Sequence, residues 1–130
     1  MKLLIVLMGF LAMALAADLT AEQRSTIRAN AMQCTQQEGN TKEQAIALRN
    51  GNFEDADDKV KCYANCFLER AGFIVEGQIN GDAVLQKLAP AAGADQVKAA
   101  LATCASIKGA NKCDTGFQIY RCFYRNRAWA

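Results

Sequence analysis

The sequence predicts an all-α, single compact domain of about six helices cross-linked by disulfides, and three observations carry that expectation. Apolar residues recur at helical spacing in one segment after another, and none alternates as a half-buried strand would. Thr20 with Gln23 and Thr41 with Gln44 have the spacing of capping boxes, in which a threonine and a glutamine side chain satisfy backbone donors at a helix start. Six cysteines, Cys34, Cys62, Cys66, Cys104, Cys113 and Cys122, leave 27, 3, 37, 8 and 8 residues between neighbours. An even number in a short exported chain implies a disulfide framework, whereas in a reducing cytosol it would point to metal or redox chemistry.

Residues 1–16 choose between those environments. Met1 and Lys2 form a minimal positive start, Leu3 to Leu15 is an apolar run, and Ala14-Leu15-Ala16 offers small residues for cleavage after Ala16. This is the anatomy of a secretory signal peptide. A membrane-spanning helix needs roughly 20 apolar residues, and Asp18, Glu22 and Arg24 interrupt this run first. A secreted, extracellular domain over residues 17–130 is therefore expected. A chain of that length buries roughly 65% of its unfolded surface in one core. Without Lys2 the 15 basic residues become 14 against 13 acidic, a net charge of +1. That balance excludes a polyanion binder, and the one basic cluster, Arg121, Arg125 and Arg127, reads as compensation of a helix C-terminal dipole.

Taken in order, the first helix opens at Thr20, carries Ile27, Ala31 and Cys34 on one face and stops near Gly39-Asn40. The second runs from Thr41 to about Arg49, where Asn50-Gly51-Asn52 breaks the chain. An acidic connector, Phe53 to Asp58, offers Asp57 or Asp58 as the cap of a third helix, whose stripe is Val60, Tyr63, Phe67 and Ala71. Gly72 ends it, and Gly77 and Asn80-Gly81 turn the chain. Val84, Leu85 and Leu88 mark a short fourth helix stopped by Pro90. Asp95 starts a fifth, with Val97, Ala100, Leu101 and Cys104 at i, i+3, i+4 and i+7 and Gly109 just past its end. The sixth starts near Asp114 or Thr115, and its Phe117, Ile119, Tyr120, Cys122, Phe123 and Tyr124 cover much more than one narrow face.

Cys62 and Cys66 lie four apart on the third helix, so both leave one face but aim poorly at each other. Each needs a partner elsewhere, and counting alone does not choose among the fifteen possible pairings. A zinc site is disfavoured, because the spacing lacks short ligand pairs on both sides and the chain has no histidine. A calcium loop begun at Asp55 puts Val60 where glycine belongs and Cys66 where a bidentate glutamate belongs, so the acidic run reads as a solvated loop and helix cap. Lack of histidine also removes the usual hydrolytic dyads and triads, and oxidised cysteines are not nucleophiles. No catalytic residue, metal or cofactor is expected.

The three residues between Cys62 and Cys66, the eight between Cys113 and Cys122, and the stretch Gly72-Phe73-Ile74 through Gly77-Gln78-Ile79 to Leu85 together are highly specific. Over the whole mature chain they resemble the insect odorant-binding proteins of the general and pheromone-binding group. The resemblance implies six helices around a buried apolar cavity, with Cys34 bridged to Cys66, Cys62 to Cys113, and Cys104 to Cys122. It also implies a secreted carrier that reversibly binds small hydrophobic molecules, such as odorants or pheromones, in aqueous chemosensory fluid. Candidates for the apolar wall are Ile27, Met32, Phe53, Val60, Phe67 and Phe73, continuing with Val84, Leu88, Leu101, Phe117, Ile119 and Phe123. Tyr63, Tyr120, Tyr124 and Trp129 each add a polar tip able to orient a ligand hydroxyl or carbonyl.

Burying a chain of about ten carbons at about 0.8 kcal/mol per methylene gives roughly 8 kcal/mol gross, enough for micromolar binding after ordering losses. Some relatives insert a long C-terminal segment into the cavity at acidic pH with the help of histidines, but only eight residues follow Cys122 here and no histidine is present. Phe123 to Ala130 is expected to form wall or lid, with release weakly dependent on pH. Expected partners are a small hydrophobic ligand and, indirectly, a sensory membrane receptor, with the chain a monomer or weak homodimer that neither binds nucleic acid nor inserts in membranes. The competing expectation is a secreted protein-interaction, seminal or defence factor on the same scaffold. Near-neutral charge argues against its antimicrobial version.

Overall fold

Side-chain caps set where the helices begin. Thr41 Oγ1 accepts from the Gln44 N–H at 3.1 Å while Gln44 Oε1 accepts from the Thr41 N–H at 2.8 Å, so the second capping box closes reciprocally. Asp57 accepts from the Val60 N–H at 2.9 Å, Asn80 from Ala83 at 3.3 Å and Asn111 from Asp114 at 2.9 Å, each capping a further helix. The computed structural model describes residues 21–129. The expected signal segment 1–16, its cleavage site, Thr20 and Ala130 lie outside the described residues.

Among the described residues the order is α1 (Ala21–Glu38), α2 (Lys42–Arg49), α3 (Asp58–Arg70), β1 (Ile74–Val75), β2 (Gln78–Ile79), α4 (Gly81–Ala92), α5 (Ala94–Cys104) and α6 (Lys112–Arg125). The fold is all-α, with one antiparallel hairpin pairing Ile74 with Ile79 and Val75 with Gln78. Glu76 (φ 52°) and Gly77 (φ 80°) are both left-handed, which is the two-residue turn whose twist suits paired strands. Strands of two residues are too short to display an alternating pattern, so they left no periodicity to read.

Three boundaries differ from expectation. Pro90 does not stop α4, which continues to Ala92, where the Gly93 N–H donates to Ala89 O at 2.8 Å. A proline in the last turn forfeits one hydrogen bond, and the residues beyond it still find carbonyls. Asn111 rather than Asp114 or Thr115 caps α6, so Cys113 lies inside the helix. Asp114, in the first turn, accepts instead from Ala110 N–H at 2.8 Å and from the Gln118 side chain at 2.9 Å, and pairs with Lys61 at 3.6 Å. Ala110's N–H is the main reason its carboxyl sits below the ordinary aspartate range. Finally, α5 ends at Cys104, five residues before Gly109, with the intervening chain in turn and loop.

Helices α3 and α6 form the centre. Gly116 permits their approach: a Cβ there would lie 2.6 Å from Asn65 Cα. Helix α1 packs on α3, while α4 and α5 pack mainly on each other, with α5 also meeting α6. The bridges follow this plan. Cys34–Cys66 (S–S 2.05 Å) joins α1 to α3, Cys62–Cys113 (2.03 Å) joins α3 to α6, and Cys104–Cys122 (2.02 Å) joins α5 to α6. The two cysteines on one face of α3 thus serve different helices, in the pairs that the resemblance implies.

Candidate ligand-binding site

Fourteen of the sixteen candidate residues fall in a single apolar cluster. Phe53, Val60, Tyr63, Phe73, Val84, Phe117, Ile119, Tyr120 and Phe123 are buried in it, and Phe67, Leu88, Leu101, Tyr124 and Trp129 pack against it half-buried. Ile27 and Met32 do not join. Met32 is 60% exposed, because it stands two residues before Cys34 and so about 200° round the helix from the bridged face. Ile27 shares the side of Cys34 yet is 41% exposed, since residues 21–29 of α1 are exposed throughout and the helix packs only by its C-terminal half. Both are therefore corrected from wall to surface.

Aromatic rings organise the interior into two connected rows. Tyr63 stacks on Phe67 at 6.4 Å between centroids, Phe67 meets Tyr120 edge-on at 6.5 Å, and Trp129 lies against Tyr120 at 4.9 Å and Phe123 at 5.5 Å. Phe53 is the hub of the second row, edge-on to Phe117 at 6.0 Å, Tyr120 at 6.3 Å and Tyr124 at 5.4 Å. Its outer side is closed by cations: Arg125 lies over Phe53 at 5.8 Å and Arg121 over Phe117 at 5.4 Å. Arg125 stands in the last turn of α6, as dipole compensation requires, whereas Arg121 one turn earlier is placed by Phe117.

The C-terminal segment belongs to this wall. The Ala128 N–H donates to Phe123 O at 3.0 Å, and left-handed Arg127 (φ 55°) turns the chain back so that Ala128 is buried and Trp129 covers α6. Among the described residues, clefts open at the surface beside the cluster. One of about 210 Å³ is lined by Ile107, Gln118, Arg121, Cys122, Arg125 and Asn126; the other, about 470 Å³, opens between α3 and the start of α6 beside Asp58, Lys61 and Asn111. Neither is lined by a candidate wall residue.

Polar groups in the cluster are few, and their state is informative. Tyr124 Oη donates to Asn50 O at 3.2 Å. Tyr63 and Tyr120 are only 6% and 7% exposed, and their hydroxyls have no hydrogen-bond partner among the described residues. These hydroxyls are nonetheless not sealed in, since among the described residues Asn40 Oδ1 is the one fully enclosed side-chain polar atom without a partner. Loss of water raises the Tyr63 pKa, with the Arg49 charge opposing. Desolvation raises Tyr120 further, Tyr63 adds to the rise, and Arg49 again opposes it. Arg49, at the end of α2, is the polar neighbour that the sequence pattern did not single out. Its position depends on Asn50-Gly51 folding onto Tyr124, where a Gly51 Cβ would lie 2.6 Å from the Tyr124 ring. No local spacing signals that contact.

The bridged helices thus enclose a continuous aromatic cluster that holds two unpartnered phenols. Residues 16–126 match the PBP/GOBP family, and the chain belongs to it. It is 35% identical over 113 residues to general odorant-binding protein 56a of Drosophila melanogaster, covering 87% of this chain and 81% of that one. Odorant-binding protein 10 of Aedes aegypti is 31% identical over 104 residues, covering 78% of this chain and 74% of the relative. Among solved structures, the fatty acid binding protein OBP56a from the oral disk of the blowfly Phormia regina superposes with a TM-score of 0.74 at 39% identity, covering 85% and 96% of the two chains. Odorant binding protein 4 of Chrysopa pallens gives a TM-score of 0.70 at 28% identity, with coverages of 85% and 95%. Family and fold make this chain a small-ligand carrier.

Proposed function

We propose that the protein is secreted and carries small hydrophobic molecules through an aqueous chemosensory or feeding fluid, taking them up and releasing them without covalent chemistry. The observation that carries this reading is the continuous aromatic cluster of α3 and α6 with two buried, unpartnered and unsealed phenols, Tyr63 and Tyr120. Because these hydroxyls are not sealed in, either water or the polar end of a guest can satisfy them. Half-buried Phe67, Leu88, Leu101 and Trp129 are the side chains that would yield to a guest. Three bridges support passage through an oxidising compartment. The fatty acid binding described for the Phormia relative favours long-chain amphiphiles among the guests.

Displacement of a hydrophobic fluorophore by straight-chain alcohols, esters and acids tests the proposal. Micromolar displacement that strengthens with chain length is expected, because each added methylene contributes about 0.8 kcal/mol before ordering losses. Failure of every compound to displace the dye, with no co-purifying small molecule in native mass spectra of the secreted protein, would refute it.

A further inference from the structure

Arg121 and Arg125 stand one turn apart on α6, and both line the cleft of about 210 Å³ together with Ile107, Gln118, Cys122 and Asn126. Each guanidinium is held over a ring of the cluster, Arg121 over Phe117 at 5.4 Å and Arg125 over Phe53 at 5.8 Å, so the cations are placed before any ligand arrives. Neither has a carboxylate partner, since among the described residues the ion pairs are Lys61 with Asp114 and Lys112 with Glu69. Asp114, two turns before Arg121, is already occupied by Lys61, the Ala110 N–H and the Gln118 side chain. The helix end does not absorb the charge either. Its macrodipole amounts to about half a negative unit, and the carbonyls at that end already take neutral donors. Cys122 O accepts from the Asn126 N–H at 2.9 Å and from the Asn126 side chain at 2.8 Å, and Asn126 O accepts from Gln96 at 2.7 Å. Two positive charges thus remain uncompensated in one cleft.

We infer that this cleft is a binding site for a doubly charged tetrahedral oxyanion, a phosphate group, held jointly by Arg121 and Arg125. The site is separate from the aromatic interior, and the inference does not depend on what that interior carries. Size limits the ligand: a drug-sized guest needs about 300–1,000 Å³, so this cleft admits a small ion or a headgroup rather than a whole hydrophobic molecule. Spacing limits its shape. Positions i and i+4 lie about 6 Å apart along a helix, and a monocarboxylate that engages one guanidinium with both oxygens has none left for the second, whereas the diverging oxygens of phosphate serve both. One dianion needs only this local excess, so the near-neutral charge of the whole chain is no obstacle. Free phosphate and a phospholipid headgroup share this chemistry. Arginines that served only the α6 dipole and the ring contacts would bind phosphate no better than chloride.

The experiment titrates inorganic phosphate into the folded protein at constant ionic strength in chloride, followed by NMR, with acetate as the monocarboxylate control. Saturable shifts confined to the side chains of Gln118, Arg121, Arg125 and Asn126 are expected, with a Kd of about 1 mM because charge pairs at a solvent-open site are weak. Acetate should bind about tenfold more weakly. Arg121→Gln and Arg125→Gln should each weaken phosphate about tenfold, the worth of hydrogen bonds to a charged group. Arg127→Gln removes the same charge from a residue outside the cleft lining and should leave the affinity unchanged. Phosphatidylcholine vesicles with and without phosphatidic acid distinguish the two sources. Capture only by the acidic vesicles, lost in Arg121→Gln, assigns the headgroup, and phosphate binding without capture assigns the free ion. No saturable shift in the parent, shifts spread over the whole surface, or an equal loss in Arg127→Gln would overturn the inference.

Discussion

Tyr120 carries a phenol into an interior whose other walls are almost entirely carbon, and burial there changes when it can ionise. A phenolate inside this cluster would lose its water and gain no partner, so the neutral form is favoured, most strongly at Tyr120 and also at Tyr63. The unfolded chain ionises its tyrosines near the ordinary value of about 10. Folded pKa values above that place the associated stability fully below pH of about 10, with loss as the unfolded chain deprotonates first on the alkaline side. Tyrosinate absorbance of the native protein should therefore show Tyr63 and Tyr120 titrating late, and the unfolding midpoint should fall over the same alkaline range. Three phenols titrating together at the ordinary value in native protein would contradict the burial. These tyrosines were legible from sequence as apolar bodies with polar tips on helical stripes, because i, i+4 spacing is enough to put Tyr63 with Phe67 and Tyr120 with Tyr124. Arg49 was not, since its neighbours come from a turn that folds a different element against it.

Elements divide according to how local their causes are. Thr41 with Gln44, and an acidic cap at Asp57 or Asp58, were readable because cap and helix are settled within four residues, and the Val60 N–H bond then singles out Asp57. The Gly77 turn was readable, but the strand pairing across it and the run of α4 past Pro90 depend on whether neighbouring backbone finds partners, which spacing does not encode. Gly116 belongs to this second kind, being one glycine in a helix whose importance appears only once α3 lies beside it. In an exposed helix, glycine to alanine stabilises by about 0.5–1 kcal/mol through backbone entropy. Here the added methyl meets Asn65, so the steric term of about 1–3 kcal/mol outweighs the gain. Gly116→Ala should lower the urea midpoint, and an unchanged or raised midpoint would show that α3 and α6 are not in this close contact.

At the scale of the molecule, the three bridges divide the work between holding the fold and holding the site. Cys62–Cys113 closes 51 residues and Cys104–Cys122 closes 18. In the chain-entropy treatment these loops are worth ~4 and ~3 kcal/mol respectively, so loss of the first should cost more stability. Position in the architecture gives the opposite ranking for binding. Helices α3 and α6 already embrace through Gly116 and a broad apolar contact, so they are expected to stay together without Cys62–Cys113. The α4–α5 pair, which carries Val84, Leu88 and Leu101, packs chiefly on itself, and Cys104–Cys122 is its covalent tie to the aromatic rows of α6. Replacing Cys104 and Cys122 together by serine should leave the more stable of the two variants but the weaker dye binder, because one wall of the site is freed to drift. Measured side by side, urea unfolding and dye affinity should rank the variants in opposite orders. If the Cys104/Cys122 variant binds like the parent while the Cys62/Cys113 variant does not, the guest is held between α3 and α6 alone and the α4–α5 pair is no part of the site.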